Sequence, residues 1–262
     1  MLGAGAVAVV GGVAGGVAGG WAAHEWFGGD TATTFRSSSA LSEKALDIAA
    51  LLAKVEPAVV SVATTITARR GLYTSTGEGA GTGIVLTSSG EILTNAHVIE
   101  DATTITVTFA DSTRAYETDL VAADTNADIA LLKVRNPPAQ IVTAELGRSS
   151  SLQVGDDVVA IGNALALDGG PTVTKGIVSA LDRSIQTDAN TTLDGLIQTD
   201  AAISSGNSGG PLVNATGQVV GMNTAIATSN SGNTAENIGF AIAIDQARPV
   251  IEQLRGGKSA SA

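Results

Sequence analysis

From Thr104 to Phe109, threonines alternate with Ile105, Val107 and Phe109, the two-residue period of a strand with one buried face. That period replaces a helical one beyond Pro57 and returns in short runs separated by turn residues. GTGIVLTSSGEILTNAHVI reads as two strands joined by a Ser-Ser-Gly turn, and DDVVAIG, TVTKGIVSAL, QVVGMNT and IGFAIAI read as further strands. With 32 glycines among 262 residues, few aromatics and 44% hydrophobic side chains, the chain can bury a large core through strands and tight turns. The expectation is an all-β fold, a barrel or a sandwich.

The chain before Pro57 is different. Met1 to Ala23 holds no ionisable side chain and ends among Trp21, Trp26 and Phe27, long enough to cross a bilayer as a helix. Glycines four apart, such as Gly11 and Gly15, would let two such helices approach closely. A cleaved signal peptide and a flexible leader stay open beside an uncleaved anchor, since no basic residue precedes the run. Residues 30 to 40 read as a Ser/Thr/Ala linker. Leu41, Ala45, Ile48, Leu52 and Val55 then recur at helical spacing, which predicts an amphipathic helix over 41 to 55, capped by Ser42 and stopped at Pro57. A second helix is expected from about Asp245 to Arg255, with Pro249 placed among the N–H groups that lack partners in any first turn. Pro137 and Pro138 mark the best boundary between two β units. The organisation expected is 1–29 as a membrane-targeting segment, 30–56 as linker and helix, 57–139 and 140–255 as two β units, the second with the terminal helix, and 256–262 as a polar tail.

The net charge of −11, with only 14 Lys and Arg, argues against nucleic acid as a partner. No cysteine is present, which removes disulfides, thiolate metal sites and a cysteine nucleophile. The acidic residues show no ligand spacing, so neither metal nor organic cofactor is expected. His24 and His97 are the two imidazoles available as bases. His24 borders the apolar leader with no motif around it.

GNSGGPL, at Gly206 to Leu212, places a hydroxyl among glycines that permit tight turns and close backbone approach. Acyl transfer needs such an exposed nucleophile with backbone N–H donors aimed at the developing oxyanion. Ser208 would attack, and the N–H groups of Gly206 and Ser208 would hold the oxyanion. A serine needs a base, and His97, in TNAHVIE after the strand EILT, is the candidate. The base needs a carboxylate to fix its tautomer. Asp128 opens DIALLKV and fits that role. Asp124, in ADTNAD, looks like turn chemistry, and Asp200, in IQTDAAI, is expected to be structural.

TNAHV, DIALLKV and GNSGGPL, in the order His, Asp, Ser, resemble the trypsin-like serine proteases, and specifically the HtrA/Deg branch. VEPAVVSV, GTGIVL, VTKGIVSAL, IQTDAAI and IGFAIAID extend the resemblance over roughly residues 50 to 250. It implies two six-stranded antiparallel β-barrels, His97 and Asp128 from the first and Ser208 from the second. It implies Ala202 at the base of the primary specificity pocket, with Ile203, Ile238 and Phe240 suited to an apolar pocket for small aliphatic residues. It also implies unfolded or misfolded proteins as substrates, an extracytoplasmic location, anchored or secreted, and a homo-oligomer, possibly a trimer. The chain departs from the family in GNALAL at Gly162 to Leu167 and in ending without room for a PDZ domain. Endopeptidase activity is the function expected. The alternative is a non-catalytic holdase that binds unfolded chains in the same cleft, disfavoured by an intact triad, and a small-ester esterase is disfavoured because Ser208 lacks a GxSxG elbow.

Overall fold

The computed structural model describes residues 46–70, 73–110, 112–163, 171–187, 191–224 and 238–257. The apolar leader and the start of the predicted first helix lie outside them. Among the described residues, no helix is long and apolar enough to cross a membrane.

Helix α1 runs from Ile48 to Val55. Its cap is Asp47, whose Oδ1 accepts from Ala50 N–H at 3.0 Å. The predicted helix, with Ser42 as its cap, is therefore corrected. Leu46 and Asp47 are not helical, because a carboxylate satisfying an orphan N–H of the first turn sets the start at Ile48. Leu51 and Val55 bury the inner face of α1. Lys54, on the outer face, reaches Glu145 Oε2 at 2.9 Å and the Thr216 carbonyl at 2.8 Å.

The strands are β1 (Val59–Arg70), β2 (Tyr73–Val85), β3 (Glu91–Thr94), β4 (Thr104–Phe109), β5 (Ala115–Asp124) and β6 (Ile129–Val134), then β7 (Asp157–Gly162), β8 (Thr172–Gln186), β9 (Thr192–Thr199), β10 (Pro211–Asn214), β11 (Val219–Thr224) and β12 (Gly239–Ala243). They form two closed antiparallel barrels of six strands each, the fold class expected. The order around the first barrel is β1-β2-β3-β6-β5-β4, and the second repeats it as β7-β8-β9-β12-β11-β10. Closure is made by β1 on β4 and by β7 on β10. The alternation in β4 is realised, with Ile105, Val107 and Phe109 buried.

Strands β6 and β7 are instead apolar on both faces, and the division of their side chains explains why. Ala130, Leu132 and Val134 fill the first barrel, and Val158 and Ala160 the second. Ile129, Leu131, Val159 and Ile161 turn outward into a third core, shared by both barrels and both helices. Facing two cores removes the polar face that alternation would leave.

Helix α2, Ile244–Arg255, packs against β5, β6, β11 and β12. Its Ile244, Ala247, Ile251 and Leu254 enter the shared core, and Arg255 pairs with Glu91 Oε2 at 2.9 Å. Pro249 is the sixth helical residue and exposed, past the first turn where it was expected, so it leaves the carbonyl four residues before it without a helical N–H.

Candidate active site

His97 leaves β3 in a short 3-10 turn, His97–Ile99, three residues after Thr94. Asp128 closes the turn between β5 and β6. It adopts φ +54°, a left-handed conformation that Asp tolerates better than most residues but that still costs on the order of 1 kcal/mol. That turn is tied by Asp124, whose Oδ1 accepts from the N–H groups of Asn126 and Ala127 at 3.0 and 3.1 Å. The result aims the Asp128 carboxylate at His97. Nδ1 of His97 lies 2.9 Å from each carboxylate oxygen, and the His97 backbone N–H donates to Oδ1 at 3.0 Å.

An ionised carboxylate only accepts, so this geometry places the ring proton on Nδ1 and leaves a lone pair on Nε2. Asp128 is buried and His97 is exposed. The imidazole of His97, itself exposed, is thus held by a carboxylate from the interior.

Two further groups complete the surroundings of Asp128. Thr224, at the end of β11, donates to Oδ2 at 3.0 Å, and Asn95 Nδ2 donates to the Asp128 carbonyl at 3.2 Å. Both are fully buried or nearly so. Sequence reasoning missed them. The available signal was Asn-Thr ending the apolar run QVVGM, and Asn directly before Ala96-His97.

Ser208 is 2% exposed, in the turn that leads into β10. Its Oγ donates to the Ser204 carbonyl at 3.4 Å. Asn207 N–H also bonds that carbonyl at 3.0 Å, and the Asn207 side chain returns to Ser204 N–H and the Ala202 carbonyl. The next residue, Gly209, has φ +81°, and a Cβ built there would fall 2.2 Å from the Thr82 carbonyl, 2.4 Å from Thr94 Oγ1 and 3.3 Å from Asn95 N. The Ser208 turn therefore abuts the strand end that carries His97. Gly209 N–H bonds the carbonyl of Asn223, the neighbour of Thr224, at 2.9 Å. Gly206 is different. Its φ is ordinary, and an added Cβ would meet only Ser204 Oγ at 3.7 Å. Its N–H has no backbone acceptor among the described residues.

A cavity of about 640 Å³ opens at His97, with Leu120, Leu193 and Ile99 as apolar wall and Glu100 and Asp101 on its lining. The four residues expected around the specificity pocket do not line it. Ala202 is exposed, with its carbonyl taken by Asn207 Nδ2 and Thr174 Oγ1. Ile203 packs beside the second-barrel core, Phe240 packs against the shared core, and Ile238 is 46% exposed. Residues 225–237, next in the chain to Thr224, lie outside the described residues. Asp200 accepts from Ile177 N–H at 2.7 Å, a contact between β8 and the segment after β9.

Paired six-stranded barrels with a His–Asp couple abutting a glycine-rich serine turn define a peptidase class of fold and site. The family model of the trypsin-like peptidase domain matches residues 81–222. The putative serine protease HhoA of Synechocystis sp. is 45% identical over 180 residues, 68% of this chain and 44% of that protein. The periplasmic pH-dependent serine endoprotease DegQ of Escherichia coli is 40% identical over 228 residues, 79% of this chain and 48% of that protein. Among solved structures, the HtrA-type protease AlgW with a decapeptide superposes with a TM-score of 0.66 at 35% identity, covering 79% of this chain and 67% of that one. The chain belongs to the trypsin-like peptidases of HtrA type. It spans less than half the length of these two curated relatives.

Proposed function

We propose that this chain is a serine endopeptidase that cleaves unfolded or misfolded proteins, with Ser208 as nucleophile, His97 as general base and Asp128 as the carboxylate that orients it. The observation that carries the reading is the contact of His97 Nδ1 with both oxygens of Asp128 at 2.9 Å, which leaves Nε2 as the proton acceptor. As Ser208 Oγ bonds to the substrate carbonyl carbon, its proton passes to Nε2 and the carbonyl electrons move onto oxygen. The N–H groups of Gly206 and Ser208 stabilise that oxyanion. Collapse breaks the C–N bond, and the imidazolium returns the proton to the departing amine. Water, activated by the same Nε2, then releases the acyl group and restores Ser208.

The finer reading is cleavage after small aliphatic residues, with Ala202, Ile203, Ile238 and Phe240 at the primary pocket. The domain division 1–29, 30–56, 57–139, 140–255 and 256–262, with residues 1–23 targeting a membrane, stays part of this reading, as does assembly into a homo-oligomer such as a trimer. The name of DegQ, a periplasmic endoprotease, supports an extracytoplasmic site of action.

The test incubates the full chain and its Ser208→Ala variant with a reduced, unfolded protein and maps the fragments by mass. Cleavage after Val, Ala or Ile by the wild type alone is expected. Equal fragmentation by both forms would remove Ser208 from the mechanism. Binding without cleavage by the folded wild type would favour a holdase.

A further inference from the structure

Thr82 lies in β2, in the first barrel, and is fully buried. Three of its hydrogen bonds cross to the second barrel. Its N–H donates to the Ser208 carbonyl at 2.8 Å, its Oγ1 donates to the Gly206 carbonyl at 3.0 Å, and Oγ1 accepts from Asn163 N–H at 2.8 Å. A fourth bond runs the other way, from Thr94 Oγ1 to the Thr82 carbonyl at 2.7 Å. Thr94 ends the strand that leads to His97.

The direction of the hydroxyl proton follows from its neighbours. Asn163 N–H can only donate and the Gly206 carbonyl can only accept, so the Thr82 proton must point at Gly206. Each peptide unit is planar. Holding the Gly206 carbonyl fixes the plane of the 206–207 peptide, and holding the Ser208 carbonyl fixes the plane of the 208–209 peptide. The two candidate oxyanion donors, Gly206 N–H and Ser208 N–H, are attached at either side of those planes. The N–H of the 206–207 peptide is held by the Ser204 carbonyl at 3.0 Å, and its backbone lies close against Gly162, where an added Cβ would run into Asn207 and the Gly206 carbonyl. The hydrogen bond from Thr82 holds the carbonyl side of the same peptide and is the restraint that comes from the first barrel.

We propose that the Thr82 hydroxyl is a positioning residue for the oxyanion hole: it acts through the Gly206 carbonyl, without touching substrate, and makes the geometry of the donors depend on the first barrel. The inference rests on the serine peptidase reading of this site. Its signature is a loss in the chemical step with ground-state binding preserved, because donors aimed at the oxyanion act in the transition state.

The experiment measures kcat and KM on a chromogenic peptide for wild type, Thr82→Val, Thr82→Ser and Ser208→Ala in the full chain, with circular dichroism to confirm folding. Affinity for a peptide boronate, which forms a tetrahedral adduct, is measured alongside. Thr82→Val, which keeps the volume and removes the hydroxyl, is expected to lose roughly tenfold to a hundredfold in kcat, less than deletion of an oxyanion donor, with KM within about threefold. Boronate affinity should fall in parallel, and Thr82→Ser should recover most of both. Wild-type kcat in folded Thr82→Val, with Ser208→Ala inactive, overturns the role of Thr82 alone. Equal losses in the Val and Ser variants also overturn it, since the hydroxyl would then not matter. Full activity in Ser208→Ala overturns the peptidase reading and this inference with it.

Discussion

Thr224 Oγ1, from the second barrel, donates a hydrogen bond of 3.0 Å to Asp128 Oδ2, from the first. The carboxylate that orients His97 is thereby held from both sides of the cleft. A bond from a neutral hydroxyl to a buried charge contributes about 1.5–3 kcal/mol. Thr224→Val should lower kcat/KM by about tenfold to a hundredfold, and Thr224→Ser should restore it. Steady-state kinetics on the proposed peptide substrates checks this.

Asp128→Asn keeps the shape of the residue but offers an NH₂ group to His97. The ring then has reason to place its proton on Nε2, where it cannot accept from Ser208. A fall in kcat on the order of 10⁴ is expected, with folding retained. Rates and thermal melts of the variant separate these two quantities.

Two glycines of one motif should respond very differently to alanine. At Gly209 the new methyl would fall 2.2 Å from a backbone oxygen, at φ +81°. The crowding and the left-handed backbone together predict a loss of about 3 kcal/mol or more in urea unfolding. At Gly206 nothing is closer than 3.7 Å and φ is ordinary, so Gly206→Ala should unfold within about 1 kcal/mol of wild type. An equal midpoint for the two variants would contradict the geometry.

Asp245, in the first turn of α2, accepts from Ser150 N–H at 2.9 Å, and that bond above all holds its carboxyl below the usual range. A carboxyl with a depressed folded value stabilises the fold fully above its unfolded value, near pH 4, and loses that contribution as pH falls through the folded value. Thermal melts from about pH 6 to about pH 3 should show wild type ahead of Asp245→Asn at the upper end, with the gap closing below about pH 4.

Alternation made the strands legible where one face meets a core and the other meets solvent, as in β4. The long apolar runs of β6 and β7 signalled strands through their length and β-branched residues, but which side chain enters which core depends on how the barrels meet. Helix α1 was read too long because its apolar spacing continues backward past Asp47, whereas the cap is a local polar contact that periodicity does not weigh. Asp128 was separable from Asp124 because turn chemistry is local. Thr82 and Thr224 were not legible, since each acts on residues more than ninety positions away. A threonine in a strand carries no mark of a distant partner.

Both barrels have the same strand order, yet the polar bonds around Asp128 and Ser208 are divided between them. Synthesis makes the division temporal. His97 and Asp128 leave the ribosome well before Thr224, and a nascent first barrel has neither the hydroxyl that braces the carboxylate nor the turn that Thr82 braces. Helix α2, made after both barrels, then seals the core between them. The groups around Asp128 come together only once both barrels have been made, so a chain still short of Thr224 lacks the bond to the Asp128 carboxylate.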